Sequence, residues 1–210
     1  MVHAYHSIFT AYGFWLPNDP RGSYSDFVAS WELFLAGGGA TKVDTRRSVA
    51  WRDHDRAARQ KAKESLHYAP VRFTDAQIVV VAEGFANAVR KSGYIVYACS
   101  ILPCHVHAVV ARHRFDIERI VGHLKTEGTM SLVHKRHHPF EGLQRPGGRL
   151  VSCWAEKSWN VFLNSDEDIR RAIAYVRNNP IKDGLPAQRW SFEASYEVAR
   201  TIERPDERAG

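Results

Sequence analysis

The stretch LPCHVHAVVAR, residues 102–112, sets two imidazoles, His105 and His107, either side of one valine inside an apolar, β-branched run. Side chains of a strand alternate faces, so both rings point the same way with Cα atoms about 6.6 Å apart, while Val106 turns to the other face. Two imidazoles so disposed can converge on one cation through metal–nitrogen bonds of about 2.1 Å. They can equally cap a sheet surface with hydrogen bonds. A second chemically suggestive pair lies in AIAYVRNNP, where Tyr175 and Asn179 are four residues apart. On a helix that spacing puts a phenol and an amide on one face, about 6 Å apart along the axis. An amide carbonyl is an oxygen ligand for a hard cation, and a phenol is a nucleophile when held in line with a polarised phosphate. Read without the histidines, Tyr175 is a core or rim aromatic and NNP a helix terminus.

The elements that must position these groups are legible from periodicity and punctuation. HAYHSIFTAYGFWLP reads as a long apolar strand closed by Pro17, followed over 17–50 by an irregular excursion with at most a short helical piece near FVASWELFLA. DHDRAARQKAKESLHY is polar and helix-favouring. TDAQIVVVAEGFANAVRKSG is a stronger helix, with Thr74 and Gln77 forming a capping box and Gly93 ending it. YIVYACSIL and HVHAVVAR predict two strands in a tight hairpin at Pro103. Ile117, Ile120, Val121, Leu124 and Leu132 recur at helical spacing, with an interruption expected at Gly128. LVSCWAEKSWNVFL supplies one or two short strands, and SDEDIRRAIAYVRNNP a helix capped by Ser165 and ended before Pro180. The order strand, helix, strand, strand, helix, strand, helix predicts an α+β fold: a ferredoxin-like split-βαβ antiparallel sheet with helices on one face and an appended helix that carries the tyrosine.

The 210 residues are 44% hydrophobic and 25% charged, which suits one globular domain over 1–190 with a charged tail over 191–210. No apolar run approaches the roughly 20 residues needed to cross a bilayer, and the N-terminus lacks the layout of a secretory signal. A cytoplasmic protein without membrane contact is expected. Three cysteines, Cys99, Cys104 and Cys153, form no C-x-x-C pair, so reduced thiols are expected rather than a disulfide framework. The net charge of +6 favours a polyanionic partner.

Taken together and in this order, LPCHVHAVV and AIAYVRNNPIKDGL resemble the IS200-like single-tyrosine transposases, and more closely their REP-associated relatives, whose corresponding motifs look like PNHVHLLV and YIHxNPVKAGL. The similarity extends to FTAYGFWLPNDPRGS and WAEKSWNVFL and so spans most of residues 3–190. It implies a His-hydrophobic-His (HUH) endonuclease and strand transferase acting on single-stranded DNA with hairpin or palindromic elements. His105 and His107 match the metal-binding histidines, Tyr175 the nucleophile that forms a 5′-phosphotyrosine link, and Asn179 a third ligand that is often glutamine. Mg²⁺ or Mn²⁺ is the implied cofactor. Cys104 departs from the usual Asn or Asp before the first histidine. Arg112, Lys125, Lys135, Arg136, Arg145 and Arg149 are the residues expected at the DNA backbone. Relatives act as dimers or monomers, so a monomer or homodimer is expected. Two further readings stay open: a DNA-binding regulator that keeps the fold without catalysis, and a metal-dependent hydrolase using water.

Overall fold

Strand β1 (Ala4–Ala11) is almost entirely buried, as a strand covered on both sides must be, although it carries the polar His6, Ser7 and Thr10. It stops at Ala11, short of the expected Pro17, because Gly13 turns the chain at φ +85° beside Pro70, where a Cβ would come within 2.8 Å. The protein, here a computed structural model, is described at residues 1–16, 19, 31–37, 55–145 and 147–203. Of the excursion expected over 17–50, Asp19 and helix α1 (Trp31–Gly37) are among these, and the turn-rich runs around α1 lie outside the described residues.

Helix α2 (Arg56–Glu64) starts at Asp55, whose carboxylate accepts from the Ala58 amide. Helix α3 (Asp75–Ser92) has the expected capping box between Thr74 and Gln77 and ends at Gly93 in the left-handed conformation. The hairpin pairs β2 (Val96–Ile101) with β3 (His105–Ala111). Helix α4 (Ile117–His134), strand β4 (Trp154–Leu163), helix α5 (Asp166–Lys182) and helix α6 (Tyr196–Glu203) complete the order. The four strands form one sheet, β2-β3-β1-β4, antiparallel at every pair. This is the ferredoxin-like order, with helices α3 and α4 on one face and α5 on the other. Among the described residues no helix is long and apolar enough to cross a membrane.

The two faces carry separate cores. Between the sheet and α3/α4 lie Phe9, Phe85, Val106, Ile120, Leu124 and Trp154, with Phe9 and Trp154 ring centroids 5.6 Å apart. Under α5 lie Ala4, Ala98, Val109, Leu163, Ile169, Ile173 and Val176. Helix α4 runs unbroken through Gly128, contrary to the expected interruption. Gly128 is buried where α3 and α4 cross, and a Cβ on Gly84 would sit 2.6 Å from its Cα and 2.5 Å from the Glu127 carbonyl oxygen. The glycines thus serve close helix approach rather than a break. Strand β4 is one ten-residue strand, not two. Pro180 lies inside the last turn of α5, which continues because the Asp183 amide still donates to the carbonyls of Asn179 and Pro180.

The boundary expected at residue 190 is crossed by the fold. The chain over 188–194 lies along the outer edge of β2: the Gln188 amide group bonds both the amide and the carbonyl of Ile101, Glu193 accepts from the Cys99 amide, and the Ala194 amide donates to Val96. These bonds satisfy edge groups that would otherwise invite pairing with another chain. Tyr196 then packs on Tyr97 with centroids 5.0 Å apart and donates to Asp166. The terminal RPDERAG lies outside the described residues.

Replacing Gly84 with Ala should destabilise the protein by about 1–3 kcal/mol net, because backbone clash at the α3–α4 crossing outweighs a helix-propensity gain of about 1 kcal/mol. At about 2–4 °C per kcal/mol, a thermal melt reads this as a fall of several degrees. An unchanged or raised Tm would contradict the close crossing.

Candidate active site

The α5 face of the sheet collects the chemistry. In β3, His105, His107, Val109 and Ala111 point to α5, while Val106, Ala108 and Val110 point to α3 and α4. The β1–β3 register pairs Ile8 with His107 and His6 with Val109, which makes His6 a diagonal neighbour of His107 on the same face. The contact is direct: His6 Nε2 and His107 Nδ1 are 3.0 Å apart, with ring centroids 5.3 Å apart. His105 and His107 centroids are 4.9 Å apart, and Cys104 Sγ lies 3.3 Å from His105 Nδ1.

Helix α5 brings the phenol to this group. Its seam of Ile169, Ala172, Ile173 and Val176, at spacings of three and four, is buried against β2, β3 and β4. Tyr175 flanks that seam, with its ring centroid 5.6 Å from His107 and 5.7 Å from His6. It is 45% exposed, so a bulky substrate can reach it. The Lys182 ammonium lies over the Tyr175 ring, 5.1 Å from its centroid. Burial raises the phenol's pKa above its usual value, helped by the Asp183 carboxylate, so Tyr175 is a neutral phenol in the free protein.

Several observations bear on whether these residues suit a divalent cation. Burial lowers the His6 pKa to about 4, and it also holds His107 well below the usual range, with His105 and His6 adding to the effect. Neutral rings keep the lone pair that a metal needs. Buried polar atoms without a hydrogen-bond partner among the described residues include Thr10 Oγ1 and Ser100 Oγ on the sheet and Asn179 Nδ2 on α5. Thr10 is paired with His105 across the β1–β3 ladder, and Ser100 with His107 across β2–β3, so both hydroxyls share the histidine face. Unsatisfied polar atoms in a buried group are the usual sign of an ion, water or substrate group. The Asn179 amide presents an oxygen instead of a nitrogen after a half-turn about its last bond, which costs almost no space. Among the described residues no three His, Cys, Asp or Glu side chains are placed to hold one metal ion. An ion here would rely on His105, His107, the Asn179 amide and oxygens of water or substrate, a donor set that suits Mn²⁺ or Mg²⁺ better than structural zinc.

The expected basic residues divide. Lys135, Arg136, Arg145 and Arg149 are exposed or half-exposed in the segment that follows α4, whose C-terminal end meets α3 where the Gln77 side chain donates to the His137 carbonyl. That is the hairpin end of the sheet, since the Phe73 amide donates to Pro103 beside the histidines. Lys135 also pairs with Glu83. Arg112 is exposed at the opposite end of β3. Lys125 departs from expectation: its ammonium donates to the carbonyls of Ala155, Glu156 and Lys157 at 2.7, 3.0 and 3.2 Å. Burial lowers its pKa to about 8, against the pull of Glu156. All three of its donors hold the start of β4, so it has none for a phosphate. Sequence reasoning passed over His6 and Lys182. The contacts of His6 depend on a strand register that no local pattern states, whereas Lys182 was within reach, lying two turns after Tyr175.

No family model and no curated protein matches the chain. Solved structures that resemble it include the following two. One is a REP-associated tyrosine transposase bound to a REP hairpin, at a TM-score of 0.46 and 12% identity over 97% of this chain and 81% of that one. The other is a candidate transposase from Deinococcus radiodurans R1, at a TM-score of 0.38 and 13% identity over 89% of this chain and 94% of that one.

The buried imidazoles make stability pH-dependent. Unfolded histidine takes up a proton below about pH 6.5, whereas folded His6 does so only near pH 4, so the unfolded chain binds more protons between these values. Stability of the metal-free protein should therefore be full above about pH 7 and fall as pH drops toward 4, by about 3 kcal/mol from His6 alone. Urea unfolding across that window checks it, with His6→Phe flattening the slope. Equal slopes in both proteins would contradict a buried neutral His6.

Proposed function

We propose that the protein is a metal-dependent single-stranded DNA endonuclease and strand transferase of the HUH single-tyrosine type, cutting at hairpin or palindromic elements. The observation that carries this reading is the approach of Tyr175 to within 5.6 Å, ring to ring, of His107, a residue 68 positions earlier in the chain. A nucleophile and a two-imidazole cradle meeting on one sheet face, with one side open, is the arrangement that phosphoryl transfer to a side chain requires. His105, His107 and Asn179 would hold Mn²⁺ or Mg²⁺. When bound, such a cation supplies Lewis-acid polarisation of a phosphate oxygen and favours the ionised form of a nearby hydroxyl.

The remaining steps belong to the chain itself. The Tyr175 hydroxyl loses its proton as its oxygen bonds to phosphorus; the bond from phosphorus to the 3′-oxygen breaks, and that oxygen leaves with the electron pair and takes up a proton. The products are a 5′-phosphotyrosine and a free 3′-hydroxyl, with no water consumed. A 3′-hydroxyl reverses the step and reseals a strand. The basic segment carrying Lys135, Arg136, Arg145 and Arg149, at the same end of the sheet, would hold backbone phosphates. Lys125 takes no part in this.

Incubation with single-stranded hairpin DNA and Mn²⁺, followed by denaturing electrophoresis, tests the proposal. Wild type should form a covalent protein–DNA adduct, and Tyr175→Phe should form none while still binding DNA. Cleavage that survives Tyr175→Phe would make the protein a hydrolase using water. Binding without cleavage in wild type would make it a regulator. Log affinity should also fall with log salt by about 0.7 per phosphate engaged, and a flat dependence would rule out a nucleic-acid partner.

A further inference from the structure

His6 has no role in the chemistry described so far, yet it is buried to 9% exposure, touches His107 through nitrogen and packs edge-on against Tyr175. We propose that His6 is a positioning residue: its Nε2 accepts the Nδ1 proton of His107, fixing the tautomer and ring angle in which His107 presents Nε2 to a metal ion. This rests on the metal-dependent reading of the site.

The chemistry admits only one productive direction for the bond. Two neutral imidazoles 3.0 Å apart, nitrogen to nitrogen, share one proton between them, donated by one ring and accepted by the other. If His6 donated, His107 Nδ1 would accept and the His107 proton would sit on Nε2, which closes that nitrogen to a metal. If His107 donates, its Nε2 lone pair is free to coordinate. His107 Nδ1 is itself blocked by His6, so coordination through that atom would need the contact to break. Metal-ligating histidines commonly anchor the second ring nitrogen in this way, though a carboxylate or carbonyl is the more usual acceptor.

The neighbouring ring follows the same pattern. Cys104 Sγ lies 3.3 Å from His105 Nδ1, so in both histidines the δ nitrogen faces a neighbour and the ε nitrogen is the one directed elsewhere. Cys104, the departure from the expected motif, thus occupies a place where a weak sulfur acceptor suffices. His6 also links cradle and nucleophile, since its ring contacts both His107 and Tyr175 at centroid distances of 5.3 and 5.7 Å. An acceptor at position 6 is therefore a requirement of the site, and its ring is a spacer against the phenol.

Two measurements on the full chain test this. In the metal-free protein, nitrogen-15 NMR of the imidazoles should show His107 protonated at Nδ1; protonation at Nε2 would overturn the proposal. Titration with Mn²⁺, read by paramagnetic resonance of the free ion, should give His6→Phe an affinity about 10–100-fold weaker than wild type. His6→Gln, whose amide oxygen can accept at about the same place, should recover most of that loss. Equal Mn²⁺ affinity in wild type and His6→Phe overturns the role of His6 alone and leaves the metal site standing. Equal weakness in His6→Gln and His6→Phe does the same, by showing that packing and not the acceptor matters. Failure of wild type to bind Mn²⁺ overturns the metal reading itself and His6's role with it.

Discussion

The pairing of β1 with β3 at the centre of the sheet is the constraint on which the site depends. Both strands are flanked on either side and covered on both faces, so His6, Ser7, Thr10 and His107 are removed from water. An imidazole in such a place must stay neutral and find a partner, because a buried charge or an unpaired ring nitrogen costs several kcal/mol. The register meets that demand for one nitrogen of each ring by setting His6 diagonally across from His107. It leaves the demand unmet at Thr10 and Ser100, whose hydroxyls face the same way without partners among the described residues. A sheet selected for stability alone would carry valine at these places. Polar groups kept in a dry sheet against their own cost are expected where a ligand completes them.

Helix α5 is held by the same face that it serves. Ile169, Ala172, Ile173 and Val176 sink into the sheet, and their phase around the helix fixes where the next residues go. Tyr175 falls at the flank of the seam, half exposed beside the histidines, and Asn179 falls on the seam one turn later, buried at 8% exposure. Packing and positioning are thus one constraint, and a shift of α5 by a single residue would turn the phenol about 100° away. The far end is secured by the chain that follows: Gln188 and Glu193 close the β2 edge, and Tyr196 ties back to Asp166 at the helix start. The segment expected as a charged tail is a clasp on helix α5 and the β2 edge.

Local signals were legible in the sequence and long-range ones were not. The capping box at Thr74 and Gln77, the glycine stop at Gly93, the Ser165 cap and the hairpin at Pro103 each rest on contacts within a few residues, and each is present. The two-residue spacing of His105 and His107 and the four-residue spacing of Tyr175 and Asn179 say which side chains share a face, but not that the two faces meet. That meeting depends on α5 crossing to the side of the sheet away from α3 and α4. His6 was hidden for the same reason, since only the register of β1 against β3 brings residue 6 to residue 107. Lys125 misled because a lysine on an amphipathic helix looks solvated, and nothing near it in sequence reveals that β4 starts with three carbonyls converging on its ammonium. Gly128 misled because glycine marks breaks and close helix approach alike, and only the partner helix distinguishes them.

The electrostatics of the phenol explain why such a site can be safe when idle. An unperturbed tyrosine needs about 4 kcal/mol to ionise at pH 7, and burial with the Asp183 carboxylate nearby raises that cost here. Lys182 offsets little of it, because its ammonium stands over the ring face and remains in reach of water. The free protein therefore holds a poor nucleophile. Positive charge from outside the chain is needed to make ionisation accessible, and on the proposed reading His105 and His107 would hold the cation that supplies it. Since burial holds His107 and His6 neutral, neither ring adds positive charge that would activate Tyr175 prematurely or repel a cation. On the proposed chemistry, an enzyme that opens a DNA strand is then silent until cation and phosphate are both present, and the neutrality imposed by burying two strands in the middle of a sheet is what keeps it so.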